Sequence, residues 1–78
     1  MKKRGYKEMV QNVQSTWLCK VIDDYVHNDR DREIIKMNLL HGISYTHIAD
    51  RLDPWISPRT IQEIMNRWMP VIMDHIDR

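Results

Sequence analysis

Gly42-Ile43-Ser44-Tyr45-Thr46-His47-Ile48-Ala49-Asp50-Arg51-Leu52-Asp53-Pro54-Trp55-Ile56-Ser57-Pro58-Arg59-Thr60-Ile61-Gln62-Glu63-Ile64-Met65 is the stretch that decides the fold. It encodes two short helices, each with its own start signal. Ser44 caps the first, because its hydroxyl oxygen accepts from a backbone N–H that has no partner in the opening turn. Ser57-Pro58 opens the second with a cap and then a proline at the first helical position, where a missing N–H costs nothing. Ile48, Ala49 and Leu52 share one face of the first helix, and Ile61, Ile64 and Met65 share one face of the second. A small side chain at Ala49 lets two helix axes approach closely. Together these features predict a helix-turn-helix over residues 44–67, with a recognition helix over about 58–68 placed for the DNA major groove.

The rest of the chain supplies a frame for that pair. Residues 1–5 read as a flexible basic arm, Lys2, Lys3 and Arg4, closed by Gly5. Apolar residues then recur at 6, 9, 10, 13, 17, 18, 21, 22, 25 and 26, the spacing of one long helix over about 7–27. Val10, Val13, Trp17, Val21 and Tyr25 are its expected anchors. Asn28 caps a second helix over about 30–41, with Asp31 in the acidic first turn and Gly42 as its stop. The third helix covers about 45–52. The fourth begins at Pro58. Its apolar stripe keeps phase through Ile61, Ile64, Met65, Trp68, Met69, Ile72, Met73 and Ile76, so Pro70 predicts a kinked helix or two abutting ones reaching about residue 76. The expectation is a single all-α domain over 1–78, with four to five helices.

Composition narrows the function. Seventy-eight residues, 42% apolar and 29% charged, make one globular domain near the lower size limit for a self-sufficient core. No apolar run is long enough to span a bilayer, and no signal peptide is recognisable. The single cysteine, Cys19, forms no internal disulfide and fits a reducing, cytoplasmic setting. At helical phase it reads as a small core residue. With His27, His41, His47 and His75 it matches no common zinc-ligand spacing, so no metal or other cofactor is expected. Asp23 and Asp24 are adjacent and point to different sides of a helix. No nucleophile–base set or glycine-rich phosphate loop is present, which argues against an enzyme. The net charge is only +1, so phosphate binding would need a local patch.

The run from Asp31-Arg32-Glu33-Ile34-Ile35 through Gly42-Ile43-Ser44-Tyr45-Thr46-His47-Ile48-Ala49-Asp50-Arg51-Leu52 to Ile56-Ser57-Pro58-Arg59-Thr60-Ile61 resembles the C-terminal DNA-binding region of sigma-70-type factors. It is similar also to the ArpU-like small phage transcriptional regulators of the same fold. The likeness covers about residues 31–67. It implies a transcription regulator of phage or mobile-element origin that binds double-stranded DNA. One departure stands out. Asp53-Pro54-Trp55 separates Leu52 from Ile56, where the family pattern has one residue, often glycine. Trp55 then reads as a plug beneath the longer connection, or as an exposed anchor for a partner.

For the recognition helix, the candidates opposite Ile61, Ile64 and Met65 follow from hydrogen-bond chemistry. Arg59, Gln62 and Glu63 match guanine, adenine and cytosine edges respectively. Ser57, Thr60, Asn66 and Arg67 suit phosphates. Tyr45, Thr46 and His47 open the third helix beside the groove, and Lys2, Lys3 and Arg4 would follow the backbone or enter a minor groove. The plainer alternative is a solvated surface, with Arg59 and Glu63 as an i,i+4 ion pair. The broad apolar stripes of the first and last helices suggest a homodimer interface, or simply helices packed on each other. Two competing functions remain. One is a protein-interaction module on the same fold, docking on RNA polymerase or another host enzyme. The other is a small-terminase-like DNA-packaging protein.

Overall fold

The computed structural model describes residues 14–76. Among these residues there are four helices and no strand: α1 Ser15–Tyr25, α2 Asp29–Leu39, α3 Tyr45–Arg51 and α4 Pro58–Ile76. The all-α expectation therefore holds. Val10, Val13 and the arm residues Lys2, Lys3 and Arg4 lie outside the described residues.

Side-chain caps start three of the helices. Asn28 Oδ1 accepts from the Asp31 N–H at 3.0 Å, Ser44 Oγ from His47 at 3.3 Å and Ser57 Oγ from Thr60 at 3.1 Å. Each satisfies a donor that the opening turn leaves without a partner. The end of α1 is closed from outside. The Val26 carbonyl accepts from Arg32 Nε and Nη2, both at 3.1 Å. The chain leaves α2 through Gly42 at φ +67°, the left-handed conformation that glycine adopts freely. There the N–H groups of Gly42 and Ile43 reach back to the carbonyls of Asn38 and Met37, and the Asn38 amide donates to Ile43 O at 2.9 Å. This lock fixes the direction in which α3 departs.

The core belongs mainly to α4, which packs against each of the other three helices. Ile61, Ile64, Met65, Met69 and Ile72 of α4 meet Leu18, Val21, Ile22, Val26, Ile34, Ile35, Ile48 and Ala49, all buried. At roughly 1.5–3 kcal/mol per fully buried large apolar side chain, this cluster is the main force holding the helices together. Ala49 is 1% exposed on the helix that packs against α4, which fits a small residue at a close crossing.

The helix through Pro70 runs unbroken to Ile76, the single-helix form of the two that the sequence allowed, whereas three other details differ from the sequence expectation. Asn66 and Pro70 are both exposed, so the carbonyl that loses its N–H partner sits on the solvated side, where water replaces the bond. The buried face of α1 runs through Leu18, Val21 and Ile22, while Trp17 and Tyr25 are 42% and 38% exposed. Two overlapping apolar phases run along α1, and the core takes the one with compact aliphatic side chains. Trp55 is 59% exposed and does not plug the core; the half-buried Leu52 and Ile56 flank the connection instead. Cys19 is only partly buried, with Sγ 3.8 Å from Asp23 Oδ2.

One polar contact ties α2 to α4. Asp31 is 2% exposed, and its Oδ2 accepts from the Trp68 indole N–H at 2.9 Å. Among the described residues its Oδ1 accepts no hydrogen bond, and Arg30 Nη2 stands 3.6 Å from it. Asp31 thus serves as an interhelical strut as well as a helix-dipole carboxylate.

Candidate functional site

The outer face of α4 gathers several predicted contacts. Arg59, Gln62, Glu63 and Asn66 follow i, i+3, i+4, i+7 spacing and are all exposed, so they form one stripe. Arg67 is exposed beside it. Ile61, Ile64 and Met65 are buried on the opposite side and fix the helix's rotation. At ~1.5 Å of rise per residue, Arg59 and Asn66 stand ~10 Å apart along the axis, about three base-pair steps of duplex. Arg59 Nε and Glu63 Oε1 form an ion pair at 4.0 Å, with side-chain exposures of 89% and 68%. A pair this long and this wet holds its members weakly, leaving both available to another partner.

Ser57 and Thr60 are half-buried and partly spent. Their hydroxyl oxygens lie 2.9 Å apart, and Ser57 Oγ also accepts from the Thr60 N–H. Whichever hydroxyl donates in that contact, one hydroxyl hydrogen of the two remains for an outside acceptor. On α3, Thr46 and His47 are exposed and Tyr45 is half-buried. The His47 ring is tethered to its cap, with Nδ1 3.1 Å from Ser44 Oγ. Lys2, Lys3 and Arg4 lie outside the described residues. Arg51, overlooked in the sequence, is exposed in the last turn of α3, immediately before the connection that leads into α4. A basic residue at a helix C-terminus is so ordinary that its position carried no signal.

Away from this face, charge is paired across helices. Lys36 Nζ meets Asp23 Oδ1 at 2.6 Å, and Arg32 approaches Asp23 at 3.8 Å and Asp29 at 3.3 Å. The hydrogen bond from Lys36 holds the Asp23 carboxyl below its ordinary value, with Arg32 adding to the effect; the same bond raises Lys36. These groups brace α1 against α2 and belong to the scaffold. A hollow of about 750 Å³ lies between α2 and the α3–α4 connection. Arg30, Arg51, Asp29, Glu33 and Asp53 line it as a mixed-charge wall, without a serine, cysteine or histidine among the described residues. Among the described residues no three His, Cys, Asp or Glu side chains converge on a possible metal position, and no helix is long and apolar enough to cross a membrane.

Comparison of the chain with known protein families, curated proteins and solved structures returns no match. What the site can do therefore follows from its own residues.

Proposed function

We propose that the chain is a DNA-binding transcription regulator in which α3 and α4 act as a helix-turn-helix and α4 enters the major groove. The observation that carries this reading is the exposed stripe Arg59, Gln62, Glu63 and Asn66 on the first half of a helix whose other face is held by the core. These side chains supply both donors and acceptors, as reading of base edges requires. A helix ~10–12 Å across matches a groove of about 12 Å. Arg51, Arg67 and the spare hydroxyl hydrogen of Ser57 and Thr60 take phosphates at the rim. The sequence likeness to sigma-70-type and ArpU-like regulators supports the same assignment.

Selection from random duplexes tests it. The chain is expected to enrich one motif, and Arg59→Ala or Gln62→Ala is expected to relax that motif at a single position, with ~1–3 kcal/mol lost on the preferred site. An unchanged motif and affinity in both variants would remove α4 as the reading element.

A second reading has its own observation. Trp55, exposed on the connection, is the kind of residue that anchors protein interfaces. On that reading the fold docks on RNA polymerase or another enzyme through Trp55. Trp55→Ala separates the two, because it removes such docking and leaves base reading by α4 in place.

A further inference from the structure

A hollow of about 270 Å³ lies between α1 and the C-terminal end of α4, lined by Trp17, Val21, Asp24, Tyr25 and His75. It is smaller than the roughly 300–1,000 Å³ of sites for whole small molecules, so it suits one side chain. Its walls are aromatic. Trp17 stands exposed, and Tyr25 stacks on His75 with ring centroids 3.6 Å apart and planes 23° apart. Val21 is 2% exposed and belongs to the core beneath. The His75 ring is fixed, because its Nδ1–H donates to the Val71 carbonyl at 2.8 Å. In the neutral ring that bond leaves Nε2 as an acceptor. Asp24 adds a carboxylate to the rim. Among the described residues no lysine or arginine lines the hollow, and Lys20 lines the neighbouring one instead.

A cavity with π-faces, a carboxylate and an imidazole acceptor, and no cation among its described lining residues, is complementary to a flat cation rich in N–H donors. We propose that this hollow binds the guanidinium of an arginine side chain presented by a partner protein. The guanidinium stacks against Trp17 while its N–H groups donate to Asp24 and to His75 Nε2. The site is separate from the DNA-reading face. His75 is 16 residues beyond Arg59 on the same helix, ~24 Å along its axis. The proposal therefore stands independently of that function.

The probe is acetyl-Gly-Arg-Gly-amide, titrated into the ¹⁵N-labelled chain while the Trp17 indole N–H resonance is followed. That resonance is assigned by its loss in Trp17→Phe. A saturable shift is expected, about tenfold weaker with the neutral isostere citrulline in place of arginine, and about tenfold weaker in Asp24→Asn. Asp24 is exposed, so its replacement leaves the fold intact, which the unperturbed core resonances report. Duplex retention is expected to be equal in Asp24→Asn and the parent chain. Equal shifts with citrulline would overturn the proposal, as would no saturation, or a shift that follows protein concentration without peptide and so marks a second copy as the occupant.

Discussion

Removing the Trp68 indole N–H while keeping an aromatic ring isolates the contact between α2 and α4. Asp31 is 2% exposed, and the 2.9 Å bond from Trp68 is the one hydrogen bond its side chain accepts among the described residues. Arg30 offers weak compensation, since it is 53% exposed and 3.6 Å away. In Trp68→Phe the carboxylate stays buried with neither oxygen hydrogen-bonded. Losing a hydrogen bond to a charged acceptor costs about 1.5–3 kcal/mol, and the smaller ring adds to the upper end. For a domain of this size, a loss of about 2–3 kcal/mol lowers Tm by roughly 10–20 °C. Urea and thermal denaturation followed by far-ultraviolet circular dichroism measure it. Replacing Asp31 by alanine in the same variant removes the stranded charge and is expected to restore at least half of the loss, by the logic of a double-mutant cycle. A cost below about 0.5 kcal/mol for Trp68→Phe, typical of an inert surface change, would refute the strut. So would a double variant no more stable than Trp68→Phe alone.

Other perturbations have equally definite outcomes. Gly42→Ala is expected to lose about 1–2 kcal/mol in urea denaturation; a Cβ there meets no atom within 4 Å, so the cost comes from φ +67° alone, and Gly42→Asn is expected to cost less. Asp23 is held below its ordinary 3.8 by Lys36. Its contribution to stability is therefore complete above pH 3.8 and disappears as pH falls through the lower folded value. Asp23→Asn is expected to flatten the acid limb of Tm against pH below 3.8; parallel limbs would contradict the assignment. Trp55→Ala is expected to leave Tm within a few degrees of the parent, since the side chain is 59% exposed, and a large fall would return Trp55 to the core.

Much of this architecture was legible because it is local. Asn28, Ser44 and Ser57 act within three residues of themselves, and Gly42 acts through its own φ, so sequence spacing alone identifies each. The buried faces of α3 and α4 follow from 3.6-residue periodicity, which also sets which α4 residues face water. What escaped is tertiary. Trp17 and Tyr25 fit the apolar phase of α1 as well as Leu18 and Ile22 do, and packing against α4 chooses between them. Asp31 looks like an ordinary first-turn carboxylate until Trp68, 37 residues away, reaches it. Pro70, by contrast, was legible as lying within one unbroken apolar phase, and the burial of Met69 and Ile72 on either side of it holds the helix continuous. In the candidate site, the stripe from Arg59 to Asn66 came from periodicity. The exposure of Trp55 depends on how the connection packs, and Arg51 drew attention only once it was seen next to that connection.

The salt dependence of duplex binding by the intact chain, compared with Arg67→Gln, tests the central claim most directly. With the two phosphates that Arg51 and Arg67 neutralise, the logarithm of affinity is predicted to fall against the logarithm of salt concentration with a slope of roughly −2, and the variant to lose about one unit of that slope. No retention of any duplex at low salt, or binding indifferent both to salt and to Arg67→Gln, would contradict DNA recognition through α4.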